Sequence, residues 1–316
     1  MSSRTHSSVA IVGAGAVGAT MAYACLMRGV AREVVLYDIN AKKVRAEMLD
    51  LAHGAEFMPP AEITGTDDIE ACRGVDVVVV TAGAKQKPGQ TRMELAESTV
   101  GLMRKIIPPL VDLAPQAVFV MVTNPVDVVT YAALKMSGLP SRQMFGSGTV
   151  LDSSRLRYLL SQACGVAVQN AHAHMAGEHG DTEIPLWSSA TIGGVPLMQW
   201  EQQTGALGAV QRDEIAHNVV NAAYEIIEGK GATNYAVGLA GARIVESIRR
   251  DERRVLPVST LLDDWHGISD VCMSVPTIVD RRGADQRLLV PVSDTELARL
   301  TTSAQSIRAA ARSLGF

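Results

Sequence analysis

Two groups of residues in this 316-residue chain have the types and spacing to do chemistry. The first is Asp152, Arg155 and His179. Asp152 and Arg155 are three apart in a stretch of helical pattern, so both side chains share one face. His179 sits in Gly177-Glu178-His179-Gly180-Asp181, a sharp polar turn from which an imidazole can project into a cleft. Imidazole is the side chain whose ordinary pKa suits proton transfer near neutrality. A carboxylate behind it sets its tautomer and favours its charged form, while a guanidinium fork can hold a substrate carboxylate through two hydrogen bonds. Such a trio suits proton donation to the carbonyl oxygen of a small keto acid as hydride reaches its carbon.

The second group is Gly13-Ala14-Gly15-Ala16-Val17-Gly18, a GxGxxG match. It lies between a predicted strand and a predicted helix, the setting that gives this pattern meaning. Gly13 allows the tight turn, Gly15 lets a pyrophosphate approach the backbone, and Gly18 lets helix and strand pack closely. The helix N-terminus then offers unpaired N–H groups and a partial positive charge to the phosphates. Asp38 follows Gly18 by 20 residues, at the end of the next strand. A carboxylate there accepts hydrogen bonds from ribose hydroxyls and repels a 2′-phosphate, so the pattern predicts NAD rather than NADP.

The elements that must carry these residues follow from the hydrophobic periodicity. Strands are predicted at Ser8–Val12, Val34–Asp38, Val75–Val80 and Ala117–Val122, and helices at Ala16–Arg28, Ala41–His53 and Met93–Leu113. The runs VDVVVV and AVFVMV are continuously apolar, as parallel strands covered on both faces must be. Alternating strands and helices imply βαβ units and a parallel sheet. Thr81-Ala82-Gly83 and Thr123-Asn124-Pro125 end two of those strands, where ligands of open α/β sheets bind. After Gly146 the pattern changes. Helices are predicted at Leu151–Cys164, Leu207–Gly229, Asn234–Arg250 and Asp294–Ser313, the last with Asp294 as N-cap. Strands are predicted at Val168–Met175, Val255–Leu262, Asp270–Val279 and Arg287–Val290.

Composition narrows the function classes. Lys plus Arg total 29 and Asp plus Glu 33, a net charge of −4 that gives no general pull toward nucleic acid or an anionic membrane. No apolar run approaches the roughly 20 residues needed to span a bilayer. The segment Met-Ser-Ser-Arg-Thr-His-Ser-Ser lacks the apolar core of a secretory signal, so a cytoplasmic protein is expected. Cys25, Cys72, Cys164 and Cys272 form no CxxC pair and are expected as reduced core thiols. His172, His174 and His179 invite a metal reading, but no acidic or cysteine ligand has suitable spacing, so no metal is expected.

The segments GAGAVG, TAGAKQKPGQTR, TNPVDVVTY, GSGTVLDSSRLR, GEHGDTEIPLWS and KGATNYAVG occur in that order between residues 8 and about 240. In this they resemble the lactate/malate dehydrogenase family, and within it bacterial L-lactate dehydrogenases activated by fructose 1,6-bisphosphate. The resemblance implies a Rossmann doubly wound parallel sheet for NAD in residues 1–146, followed by an α+β catalytic domain in residues 147–316. It implies His179 as acid/base, Asp152 as its orienting carboxylate, Arg155 as the clamp on the substrate carboxylate and Arg92 as the group that polarises the carbonyl. Asn124 and Thr233 would complete the substrate site, and Val17, Asp38, Lys43, Gly83, Ala84, Thr123, Asn124 and Ser147 would line the cofactor path. Residues 85–92 resemble the family's mobile loop, whose closure excludes water. Malate enzymes of the family carry Arg where this chain has Gln86. A neutral Gln leaves a second substrate carboxylate without its partner, so pyruvate and L-lactate are expected as substrates, with oxaloacetate and malate as the alternative.

Arg155 and Arg157 are about 200° apart around a helix and cannot serve one site. Arg157 and His172 match the pair with which activated family members bind fructose 1,6-bisphosphate across a two-fold axis, and the resemblance implies a homotetramer with that effector. His174 departs from the bulky aromatic common beside this site.

Overall fold

The computed structural model of the chain describes residues 7–83 and 92–316. The first half comprises β1 (Ser8–Val12), α1 (Ala16–Met27), β2 (Glu33–Tyr37), α2 (Ala41–His53), β3 (Glu62–Thr66), β4 (Val77–Val80) and α3 (Arg92–Leu113). It continues with β5 (Val118–Met121), α4 (Val126–Ser137) and β6 (Met144–Gly146). Its strands lie in the spatial order β3-β2-β1-β4-β5-β6, every neighbouring pair parallel. The order reverses between β1 and β4, which opens a crevice at the strands' carboxyl ends.

The pleat explains why these strands are apolar throughout. Val9, Ile11, Val77, Val79, Val118 and Val120 pack into one core, while Ala10, Val12, Val78, Val80, Phe119 and Met121 point to the other face into a second. Met21, Cys25 and Leu26 of α1 cover the first face, and Met103, Ile107 and Leu110 of α3 with Val129 and Ala132 of α4 cover the second. All four valines of β4 are fully buried. At about 1.5–3 kcal/mol for each buried side chain of this size, the strand is a rigid platform for the turn that follows it.

The second half comprises α5 (Val150–Cys164), β7 (Ala171–His172), β8 (Met175–Ala176), β9 (Ile184–Pro185), β10 (Thr191–Ile192), β11 (Val195–Pro196), α6 (Leu197–Thr204) and α7 (Ala209–Lys230). It ends with α8 (Tyr235–Arg249), β12 (Arg254–Leu262), β13 (Val271–Asp280), β14 (Gly283–Arg287) and α9 (Asp294–Ser313). The strands β12 to β14 are antiparallel and extend the first sheet to nine strands through the pairing of Ser259 with Gly146. Helix α8 packs on α1, so close that a Cβ on Gly241 would sit 2.0 Å from Met21 Cε. The later half thus completes the coat of the earlier one. No helix among the described residues is long and apolar enough to cross a membrane, and all four cysteines are buried.

Three sequence expectations need correction. The strand predicted over Val168–Met175 is two short strands that belong to different sheets, because His172 pairs with Thr191 while Met175 pairs with Pro185. The strand predicted at Arg287–Val290 lies earlier, at Gly283–Arg287, and Leu289 is exposed. Ser293, not Asp294, caps α9: its hydroxyl accepts the Glu296 N–H while the Glu296 carboxylate accepts the Ser293 N–H at 2.7 Å. Beyond these, β3, α4 and β6 form where periodicity assigned no element.

Candidate active site

The carboxyl ends of the parallel strands open into one cleft of about 1150 Å3 of empty space, part of it open to solvent. Gly83 after β4, Thr123 and Asn124 after β5 and Ser147 after β6 line it, with Val17 from α1 and Arg155 from α5. His179 and Thr233 close the opposite wall. Eight of the residues singled out in the sequence therefore meet at one place.

His179 sits on the loop between β8 and β9. Gly177 turns that loop at a φ of 102°, a conformation that glycine alone adopts freely. The loop is tied to α9 by the Glu178 N–H, which donates to Ser303 Oγ at 2.8 Å. The His179 N–H donates to the buried Asp127 carboxylate of α4 at 2.7 Å. Its ring nitrogen Nδ1 lies 2.7 Å from Asp152 Oδ2, which leaves Nε2 for the cleft. Arg155 donates to the other oxygen of Asp152 at 2.6 Å. The i,i+3 spacing on α5 has thus produced a carboxylate shared between a cation and an imidazole.

Residues 7–146 match the lactate/malate dehydrogenase NAD-binding domain, and residues 149–313 match the alpha/beta C-terminal domain of the same family. The chain belongs to the lactate/malate dehydrogenase family. A relative from Bifidobacterium animalis subsp. lactis (strain AD011) named L-lactate dehydrogenase is 56% identical over 310 residues, covering 98% of this chain and 97% of its own. One of the same name from Acetivibrio thermocellus is 46% identical over 301 residues, with 95% of each chain covered. The solved minor L-lactate dehydrogenase of Enterococcus mundtii superposes with a TM-score of 0.95 at 36% identity, covering 98% of this chain and 99% of the other.

As a member of this family the chain is an NAD-dependent oxidoreductase, and its glycine loop fits the cofactor. A Cβ on Gly13 would lie 2.7 Å from the Ala82 nitrogen, and one on Gly18 only 1.8 Å from the Gly13 oxygen, so the fold itself excludes side chains at both. A Cβ on Gly15 would meet nothing within 4 Å. That vacant approach, at the N-terminus of α1, suits a pyrophosphate against the backbone. Asp38 directly follows β2 beside the loop, its carboxylate accepting the Ala14 N–H at 2.7 Å and the Asn40 N–H at 2.9 Å. Lys43 is exposed on α2 and is not among the cleft's lining residues. Ala84 and Gln86 lie outside the described residues, as does the side chain of Arg92, whose backbone begins α3.

The electrostatics follow from burial and neighbours. Burial alone would strip the proton from His179, but the Asp152 charge and hydrogen bond override it and hold the imidazole up at about 9. Burial works against the Asp152 carboxylate too, yet the His179 and Arg155 charges keep it below its ordinary range. Asp127, buried with one oxygen unpartnered, is pushed up to about 6 by desolvation. One oxygen each of Asp152 and Glu183 and one His179 nitrogen lie within 4.8 Å of one another, a grouping that could also hold a cation. A metal there would have to displace Arg155 and His179 from Asp152, two charge-assisted bonds already made.

Arg157 points away from the cleft, as its place on the helix requires. Its Nε donates to the Ala173 carbonyl at 2.8 Å. Burial and then the Arg254 charge lower its pKa. His174 is pushed down to about 3 by burial, by Arg157 and by His172. Arg157 and Arg254 therefore place two guanidinium charges near His172 and His174 on the far side of α5. Sequence reasoning missed Asp127 and Glu183, though Asp127 lies in the TNPVD turn and Glu183 follows His179 by one helical-length step. It also missed the wall formed by Ala223 and Ile227 of α7 and by Val237 and Ala240 of α8.

Proposed function

We propose that the chain catalyses reversible hydride transfer between NADH and pyruvate, giving (S)-lactate and NAD+. The observation that supports this best is the Asp152–His179 pair beside Arg155 on the cleft that the strand ends form. NADH, held by the glycine loop and the strand ends, would supply the hydride for the keto carbon. Arg155 holds the substrate carboxylate, and Nε2 of the protonated His179 donates to the carbonyl oxygen as charge develops there. Asp152 fixes the tautomer by occupying Nδ1 and stabilises the imidazolium, so that the acid form persists at the pH of the cytoplasm. In the reverse direction neutral His179 takes the hydroxyl proton. Arg92 would steady the developing oxyanion, a contact strongest in the transition state. Gln86 would reject the second carboxylate of oxaloacetate. Asn124 and Thr233 complete the substrate site, and Gly13, Gly15, Gly18, Val17, Asp38, Lys43, Gly83, Ala84, Thr123 and Ser147 hold the cofactor. Residues 1–146 work as the NAD-binding unit and 147–316 as the catalytic unit.

The Arg157 and Arg254 charges beside His172 support a regulatory anion site for fructose 1,6-bisphosphate, doubled across a two-fold axis of a homotetramer. The test is NADH oxidation with pyruvate and separately with oxaloacetate, each with and without the bisphosphate. Pyruvate turnover that rises with the bisphosphate in the native protein, and not in Arg157→Ala, is the expected result. Faster turnover of oxaloacetate overturns the substrate assignment. An Arg157→Ala protein as responsive as the native one overturns the effector site.

A further inference from the structure

Glu183 is the buried acid for which the mechanism above has no use. Its side chain is 3% exposed, and Oε2 lies 4.0 Å from His179 Nδ1. No donor among the described residues reaches that oxygen, and the carboxyl group faces Asp152, to which it can donate a hydrogen bond when it carries a proton. The strand pair β8–β9 anchors it, with Ile184 registered against Ala176. We propose that Glu183 is a positioning residue of the proton transfer: its carboxyl group, set behind the His179–Asp152 pair, shares in binding the acid proton and extends to higher pH the range over which His179 keeps it. The inference rests on His179 being the acid/base.

The charges around the imidazole support it. From α5 it faces Asp152 and, beyond it, Arg155; from α4 it faces Asp127; its own loop supplies Glu178 and Glu183. Asp127 is engaged by the His179 N–H, and Glu178 by the Thr182 hydroxyl at 2.6 Å. Glu183 receives no such donor and sets Oε2 4.0 Å from the ring nitrogen Nδ1. Burial and then the Asp152 charge raise its pKa, because two carboxylates this close cannot both be charged cheaply. At neutral pH it therefore holds a proton. Once that proton leaves at alkaline pH, a new negative charge stands 4.0 Å from Nδ1 and strengthens the hold of the imidazolium on its own. The two groups titrate as a pair and not as independent sites.

The test is the pH profile of kcat/KM for pyruvate in the native protein, Glu183→Gln and Glu183→Asp. The alkaline midpoint should fall by about one pH unit in Glu183→Gln, the lower end of the effect of an opposite charge at this distance. Glu183→Asp, which keeps the charge, should recover part of that fall. Midpoints that coincide for native and Glu183→Gln protein overturn the proposal. Infrared spectra of the native enzyme give a second check that needs no variant. The carbonyl stretch of a protonated carboxylic acid should persist to about pH 8, where Asp127 is already ionised, and vanish toward about pH 10. Its absence at the lower pH overturns the proposal equally. His179→Gln separates the two levels. If that variant reduces pyruvate at the native rate, the acid–base assignment itself fails; if it is inactive while the Glu183→Gln midpoint is unmoved, only this inference fails.

Discussion

Asp152→Asn should move the pH profiles of both directions of the reaction. Asparagine keeps an oxygen and nearly the same volume, so the change removes charge more than shape. Burial then acts on His179 without its main counterweight, and a pKa held at about 9 returns toward the ordinary 6.5. A change of about 2.5 units is worth roughly 3.5 kcal/mol at about 1.4 kcal/mol per unit. Because the folded-state pKa is raised, the useful protonated form is present below the midpoint and lost as pH rises through it. Pyruvate reduction needs that form, so its alkaline limb should move down from about pH 9 to about pH 6.5, and kcat/KM at about pH 8 should fall roughly 30-fold from protonation alone. Lactate oxidation needs the neutral imidazole and gains with pH through the same midpoint, so its acid limb should move down by the same amount. The assay is kcat/KM in both directions, with NADH absorbance as the signal, across the whole range. An alkaline limb that stays near its native position would refute the electrostatic account and leave Asp152 a packing role.

Three other outcomes follow from the geometry. Arg155→Lys keeps a charge but loses the fork, and kcat/KM for pyruvate should fall by roughly 1.5–3 kcal/mol of lost charge-assisted bonding, with the NADH Kd unchanged; an equal loss of NADH affinity would argue for collapse of the cleft. Gly15→Ala, with nothing within 4 Å of the new methyl, should keep the native Tm while weakening NADH binding. Gly18→Ala puts a methyl 1.8 Å from the Gly13 oxygen and should lower Tm as well, which thermal melts would show directly. Asp38→Ser removes the carboxylate that faces the ribose hydroxyls, so the ratio of kcat/KM for NADPH to that for NADH should rise at least tenfold; an unchanged ratio would show that Asp38 serves only the Ala14 and Asn40 N–H groups.

Much of this protein is legible in its sequence because local patterns carry it. Continuous valines specify a strand buried on both faces, and the three glycines differ in purpose as their spacing suggests, two required by packing and one open to a ligand. The i,i+3 pair Asp152 and Arg155 lies on one helix face by geometry alone, and Arg157 is turned away from it for the same reason. What tertiary structure decided is where chain segments change partners and which buried groups face one another. The chain between His172 and Met175 passes from one sheet to another, a step invisible to an alternating pattern that reports burial and not identity of neighbour. The strands β12 to β14 join the first sheet through one residue of β6, a pairing between positions more than a hundred residues apart. The proton affinity of His179 is likewise a tertiary property. It comes from carboxyl groups on α5, on α4 and on its own loop, brought together in a region where burial makes every charge depend on the next. Residue types and spacing state which groups are available; only their enclosure decides how tightly each holds its proton.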